Sequence, residues 1–217
     1  SIDTLRADHL PSYGYRGVAT PAIDAFRADA VLFANAYSQC PLTLPSHVSM
    51  LTGLYPAQAG VRDNLGYAFD STAHPTIPTI LKGRGYATGA AVSAYVLRGA
   101  SGLSRAFDSY NDAIDVLPGE ALGKLQRTAG ESIAIAQPWI ESHKNEPFFY
   151  FLHLFEPHGP YDPPEPFRSR YPSAYDGEIA SVDHSLGQFI EFLKRAGVYE
   201  RAVIILMSDH GEGLGDH

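Results

Sequence analysis

Pro147-Phe148-Phe149-Tyr150-Phe151-Leu152-His153 is a short, unbroken apolar run, rich in aromatic residues and closed by a histidine. A run of this length without polar alternation reads as a strand buried on both faces, as in the middle of a parallel sheet. Working outward, Tyr86 to Ser93 reads as a second buried strand and Ala202-Val203-Ile204-Ile205-Leu206-Met207 as a last one, while Ser1-Ile2-Asp3 reads as the end of another. Helical segments lie between them. Thr20-Pro21 opens a helix to about Ala30, a capping hydroxyl followed by proline at the first helical position. Val31 to Tyr37 reads as a short strand or extended segment. Pro45 leads into a helix over Ser46 to Leu51 that closes near Gly53. Thr79 to Lys82 falls in a helix ended by Gly83 and Gly85, and a longer helix spans about Gly119 to His143, with a kink expected at Pro138. Pro157 to Pro172 reads as loop. Tyr175 to Ala196 presents an apolar helical face through Ile179, Val182, Leu186, Phe189, Ile190 and Leu193. Strands alternating with helices, and no internal repeat, predict an α/β fold with a mainly parallel (mixed) central sheet flanked by helices.

Polar residues follow the strands. Asp3 follows the first, His153 to His158 the aromatic one, and Asp209-His210 the last. Open α/β sheets bind ligands beyond the carboxyl ends of their strands, so these acids and histidines should share one rim. Each has a plainer reading when taken alone. Asp209-His210-Gly211 could be a capped turn, Asp3 an ordinary strand-end carboxylate and His153 a satisfied core histidine. Asp183-His184, in mid-helix, reads as solvated or structural.

Composition narrows the classes. With 45% hydrophobic and 18% charged residues the chain can bury a core, which argues against disorder. A formal net charge of −8 disfavours a nucleic-acid partner but leaves room for a small anionic substrate, because a metal can reverse the sign of a pocket. A single cysteine, Cys40, excludes a disulfide framework and a cysteine-rich zinc site. No apolar run approaches the roughly 18–20 residues of a membrane span.

Thr43-Leu44-Pro45-Ser46-His47-Val48-Ser49-Met50-Leu51-Thr52-Gly53 resembles the signature of the sulfatases, matching it at Pro45, Ser46, Leu51, Thr52 and Gly53. Asp3-Thr4-Leu5-Arg6-Ala7-Asp8, Leu54-Tyr55-Pro56, His153 to Tyr161 and Ser208 to Glu212 resemble further blocks of the family, in its order. The resemblance implies a sulfatase-like, alkaline-phosphatase-type hydrolase, with its α/β sheet of the alkaline-phosphatase fold type. Residues 1–217 would be its N-terminal catalytic domain, incomplete at both ends, with a smaller C-terminal subdomain outside this sequence. It also implies a divalent cation (Ca, Mn, Zn or Mg) and a periplasmic, secreted or membrane-associated setting.

Two departures bear on the chemistry. Thr43 stands where sulfatases carry the cysteine or serine that becomes formylglycine, so no formylglycine is expected. His47 stands where an arginine is usual, and Ser93 and Tyr95 where a lysine and a histidine contact sulfate in many members. Threonine nucleophiles occur in related phosphodiesterases and phosphoethanolamine transferases. By that likeness Asp3, Thr43, Asp209 and His210 would form the metal shell, with Thr43 as nucleophile. Beside them His158 reads as a catalytic residue that lines the pocket or binds the leaving oxygen, and His47 and His153 as substrate contacts. The expected substrate is a small anionic ester, phosphoryl or phosphonyl in preference to sulfate. A true sulfuric ester hydrolase and an inactive sulfatase-like binding domain are the alternatives.

Overall fold

The structure is a computed structural model that describes residues 1–115 and 125–215. Its three-stranded sheet joins β1 (Ala87–Ala91), β2 (Ser109–Asn111) and β3 (Phe148–Leu152) in the order β2-β1-β3, all parallel. Ala87 to Ala91 pair with Phe148 to Leu152, and Gly89 to Ala91 with Ser109 to Asn111. Beyond β3, Ile2 forms parallel bridges with both Leu154 and Ser208, extending the sheet toward the last apolar segment. Asp3 N–H donates to Leu154 O, and Ile2 N–H to Met207 O, both at 2.9 Å.

The aromatic run is apolar on both faces because both are covered. Phe149 and Phe151 pack with Leu44, Val48 and Leu51 of α2 (Thr43–Thr52) on one side. Phe148, Tyr150 and Leu152 pack on the other with Ala136 and Ile140 of α5 (Ala129–His143) and Leu193 of α7 (Ala174–Arg195). Gly89 admits Trp139 to the sheet: a Cβ there would lie 2.6 Å from the indole. The helix α1 (Pro21–Ala28) packs on α7, where buried Asp183 accepts the Ala22 and Ile23 N–H groups at 3.1 and 2.8 Å. Asp183 is therefore a cap, in line with its structural reading. The short helices α3 (Pro56–Ala59) and α4 (Ile77–Lys82) complete the face that carries α2.

Several expectations shift. Residues 31–37 form no strand. Val31, Phe33 and Tyr37 are 71–81% exposed, and no sheet edge lies alongside to pair with them. The long helix begins at Ala129 because Thr128 and Glu131 make a capping box, and residues 125–127 are not helical; Gly119 to Lys124 lie outside the described residues. It continues through Pro138 to His143 without a break. α2 starts at Thr43 and ends at Gly53, whose φ of +74° places it in the left-handed region that glycine tolerates. The proline-rich loop contains a one-turn helix, α6 (Phe167–Arg170). Residues 202–207 are not a ladder-forming strand. Val203 and Ile205 are 91% and 73% exposed while Ile204 and Leu206 turn inward, and among the described residues only Ile2 reaches the segment with backbone bonds. An apolar cleft of about 810 Å³ opens between β3 and this segment, behind the rim where the acids gather.

Candidate metal centre

The chain ends that leave the sheet deliver Asp3, Ser93, His153 and Asp209 to one buried cluster, each no more than 1% exposed. Asp3 follows Ile2. Its next residue, Thr4, has a φ of +53°, a strained value for a side chain branched at Cβ. That turn aims Thr4 N–H at Asp209 Oδ1 (3.1 Å) and Thr4 O at the Tyr175 hydroxyl, which donates to it at 2.6 Å and accepts from Arg6 N–H at 2.9 Å. Asp209 Oδ1 also accepts its neighbour's N–H, from His210, at 2.8 Å. Ser46 of α2 donates to Asp209 O at 2.7 Å, tying the loop to that helix.

His210 Nδ1 lies 2.8 Å from Gly211 O. A carbonyl only accepts, so Nδ1 holds the proton and Nε2 faces the cluster. Nε2 is 3.4 Å from Thr43 Oγ1, 3.4 Å from Asp209 Oδ2 and 3.8 Å from Asp3 Oδ1. Asp3, Thr43, Asp209 and His210 therefore do come together. His158 is oriented in the same way, with Nδ1 on Gly159 O at 2.6 Å, and its ring packs on Phe155 at 4.5 Å.

His47 and His153 are fully buried, with His47 Nδ1 3.7 Å from Asp209 Oδ2 and His153 Nε2 3.4 Å from Asp3 Oδ2. His47 Nδ1 donates to Thr43 O at 2.7 Å, and its Nε2 accepts from Ser1 Oγ at 3.1 Å, which makes it a buttress beneath Thr43. Burial pushes both imidazoles down to about 3, leaving them neutral. Burial also pushes the Asp3 carboxyl up to about 6, against the opposing fields of His158 and His210. Asp209 is raised too, by burial and then by the like charge of Asp3.

Two carboxylates crowded in a dry site call for a cation. Asp3 Oδ1 and Oδ2, Asp209 Oδ2 and His153 Nε2 are all buried without a hydrogen-bond partner. Orphaned oxygens beside an imidazole nitrogen suit a divalent ion, so the residues fit the group that the resemblance implies. The α2 N-terminus is less open than its sequence suggests. Asn64 Oδ1 takes Leu44 N–H at 2.8 Å and Leu42 O takes Ser46 N–H at 3.0 Å, so the helix contributes its dipole rather than a row of free donors. Thr4, Ser46 and Tyr175 had no role in the site as read from the sequence, although Ser46 is one of the matched signature positions. Thr4 adjoins an acid and could have been flagged, but neither its left-handed backbone nor the long-range bonds of Ser46 and Tyr175 leave a local signal.

The fold is shared with known proteins. An N-acetylgalactosamine-6-O-sulfatase of Bacteroides thetaiotaomicron is 24% identical over 99% of the chain and 58% of that enzyme. The fold superimposes on the phosphonate monoester hydrolase of Agrobacterium radiobacter with a TM-score of 0.77, at 20% identity over 100% of this chain and 62% of that one. A Vibrio parahaemolyticus protein of the alkaline phosphatase superfamily gives 0.77 at 21% identity, over 97% and 53%. The chain thus spans somewhat over half the length of these proteins. The Sulfatase family profile matches residues 1–217 in full, and the chain belongs to that family.

Proposed function

We propose that the protein is a metal-dependent hydrolase of small anionic esters, with unmodified Thr43 as nucleophile and a preference for phosphoryl or phosphonyl over sulfate esters. The observation that carries this reading is Thr43 Oγ1 at the mouth of the acid cluster, 3.4 Å from His210 Nε2. Asp3, Asp209 and His210 would hold the ion. When bound, the ion would lower the pKa of the hydroxyl and polarise the ester's oxygens.

The chain's own residues supply the rest. Thr43 Oγ1 forms a bond to phosphorus as the bond to the leaving oxygen breaks. Thr43 releases its proton to solvent, and the leaving oxygen takes one from Nε2 of His158 as the imidazolium, whose Nδ1–H stays on Gly159 O; His158 then regains a proton from solvent. Water then attacks phosphorus, the phosphorus–Oγ1 bond breaks and Thr43 recovers its proton. A threonine sulfate has no geminal hydroxyl from which to expel sulfate, so the second half-reaction is the slow one for sulfate esters. His47, which holds Thr43 O, fixes the first turn of α2 and with it the direction of Oγ1.

The test pairs metal analysis of the full-length protein with a panel of nitrophenyl phosphodiesters, phosphonates and sulfates. Bound divalent metal and faster turnover of the phosphorus esters are expected. Metal-free protein inert toward the whole panel would instead favour an inactive binding domain.

A further inference from the structure

His153 stands out among the buried polar residues because its Nε2 has no hydrogen-bond partner. It is the first residue after β3 and is fully buried. Its partner is Ser93, just beyond β1 at the position where many relatives are expected to carry lysine. Ser93 Oγ lies 2.6 Å from His153 O and 2.9 Å from His153 Nδ1. The hydroxyl has one proton, and the carbonyl, the closer contact, can only accept it. Ser93 N–H also approaches Nδ1, but at 3.4 Å, the longest of the three contacts. The shorter pair sets the tautomer: with the hydroxyl proton on the carbonyl, Ser93 Oγ accepts from Nδ1–H, and Nε2 is left with its lone pair.

That lone pair has no partner. It points at Asp3 Oδ2, 3.4 Å away, which is also buried and unpartnered. Two acceptors facing each other in a dry interior repel unless something positive lies between them. Their separation suits two atoms bound to one cation, since ligand bonds of about 2.0–2.2 Å at an open angle span such a gap. His47, whose ring meets His153 at 4.9 Å, does not compete, because both its nitrogens are engaged.

We propose that His153, held by Ser93, is a ligand through Nε2 of the divalent cation bound by Asp3 and Asp209. This rests on the metal-centre reading above and adds a nitrogen from the end of β3. Ser93 acts as the positioning residue that fixes the tautomer.

Side-chain amides separate the two edges of the ring. His153→Gln places an amide oxygen near Nε2, whereas His153→Asn reaches only the Nδ1 edge and leaves nothing toward Asp3. In the full-length protein, calorimetric titration with Mn²⁺ or Zn²⁺ should show about 10–100-fold weaker binding for His153→Asn, with most of the loss restored in His153→Gln. In wild-type protein, ¹⁵N spectra of the histidines should show Nδ1 protonated and the Nε2 signal moving on addition of Zn²⁺. That second measurement decides the matter if His153→Asn does not fold. Folded His153→Asn binding metal as wild type does, or a His153 Nε2 signal unmoved by Zn²⁺, overturns the proposal. Asp209→Asn separates the two levels: if it too keeps its metal, the metal-centre reading has failed, and if it alone loses metal, only the role of His153 has.

Discussion

Asp209 divides its two oxygens between structure and chemistry. Oδ1 serves Thr4 N–H and His210 N–H, while Oδ2 faces the cluster without a hydrogen bond. Asp209→Asn can keep its carbonyl at Oδ1, so it should fold, as judged by circular dichroism, yet lose its metal by elemental analysis. Asp209→Ala should lose metal and also about 1–3 kcal/mol of stability in denaturant titration, because two buried N–H groups lose their acceptor. Asp3 allows a signed pH test. Its carboxyl is raised to about 6 from 3.8, so the metal-free fold holds this proton more tightly than the unfolded chain does. Ionised Asp3 therefore destabilises the metal-free protein above pH 6, and that cost disappears as pH falls through 6 toward 3.8. Asp3→Asn should stabilise metal-free protein at pH 7.5, by on the order of 3 kcal/mol from a two-unit shift. The gain should vanish near pH 4. Metal affinity of the wild type should weaken below pH 6, as the ion comes to compete with a proton. An Asp3→Asn effect independent of pH would mean that the carboxylate is not held in a dry site.

At the scale of elements, the turns and caps decide where each helix begins. Thr128→Ala removes the hydroxyl that accepts Glu131 N–H at the start of α5, and should cost about 1 kcal/mol in chemical unfolding. Gly89→Ala should cost about 1–3 kcal/mol, because its methyl would collide with Trp139. A neutral Gly89→Ala would show that α5 does not press on β1 as closely as described. These elements also show what sequence can reveal. The run from Phe148 to Leu152 was legible because a strand covered on both faces has no polar positions. α7 was legible within a residue at either end because its apolar stripe has the helical period. The start of α5 was also written in the chain, as Thr128-x-x-Glu131, within a longer stretch read as a single helix. Val31 to Tyr37 and Ala202 to Met207 were not legible as to pairing. Their composition suits strands, but a ladder needs a neighbour, which local sequence does not specify. In the candidate site the acids could be read from their position after strands. The inward turn of His47 and His153 could not, because it depends on Ser1 and Ser93 arriving from elsewhere.

For the whole molecule, the sheet's carboxyl-end rim carries opposing requirements. Burying two acids weakens the metal-free fold, and a cation between them reverses that penalty. Saturating the full-length protein with its metal at about a hundred times Kd should add about 2.7 kcal/mol. That is a rise in Tm of a few degrees, since each kcal/mol shifts Tm by about 2–4 °C for 150–250 residues and by less in a longer chain, and a chelator should reverse it. An unchanged Tm would separate the acid cluster from metal binding. The central claim concerns Thr43, and the most direct measurement is mass spectrometry of the full-length protein quenched during turnover of a phosphodiester or phosphonate ester. The peptide bearing Thr43 should have its unmodified mass in resting enzyme and a phosphoryl or phosphonyl adduct on Thr43 in the quenched sample, with no adduct and no turnover in Thr43→Ala. Sustained ester hydrolysis by Thr43→Ala, or an adduct on any other residue, would contradict it.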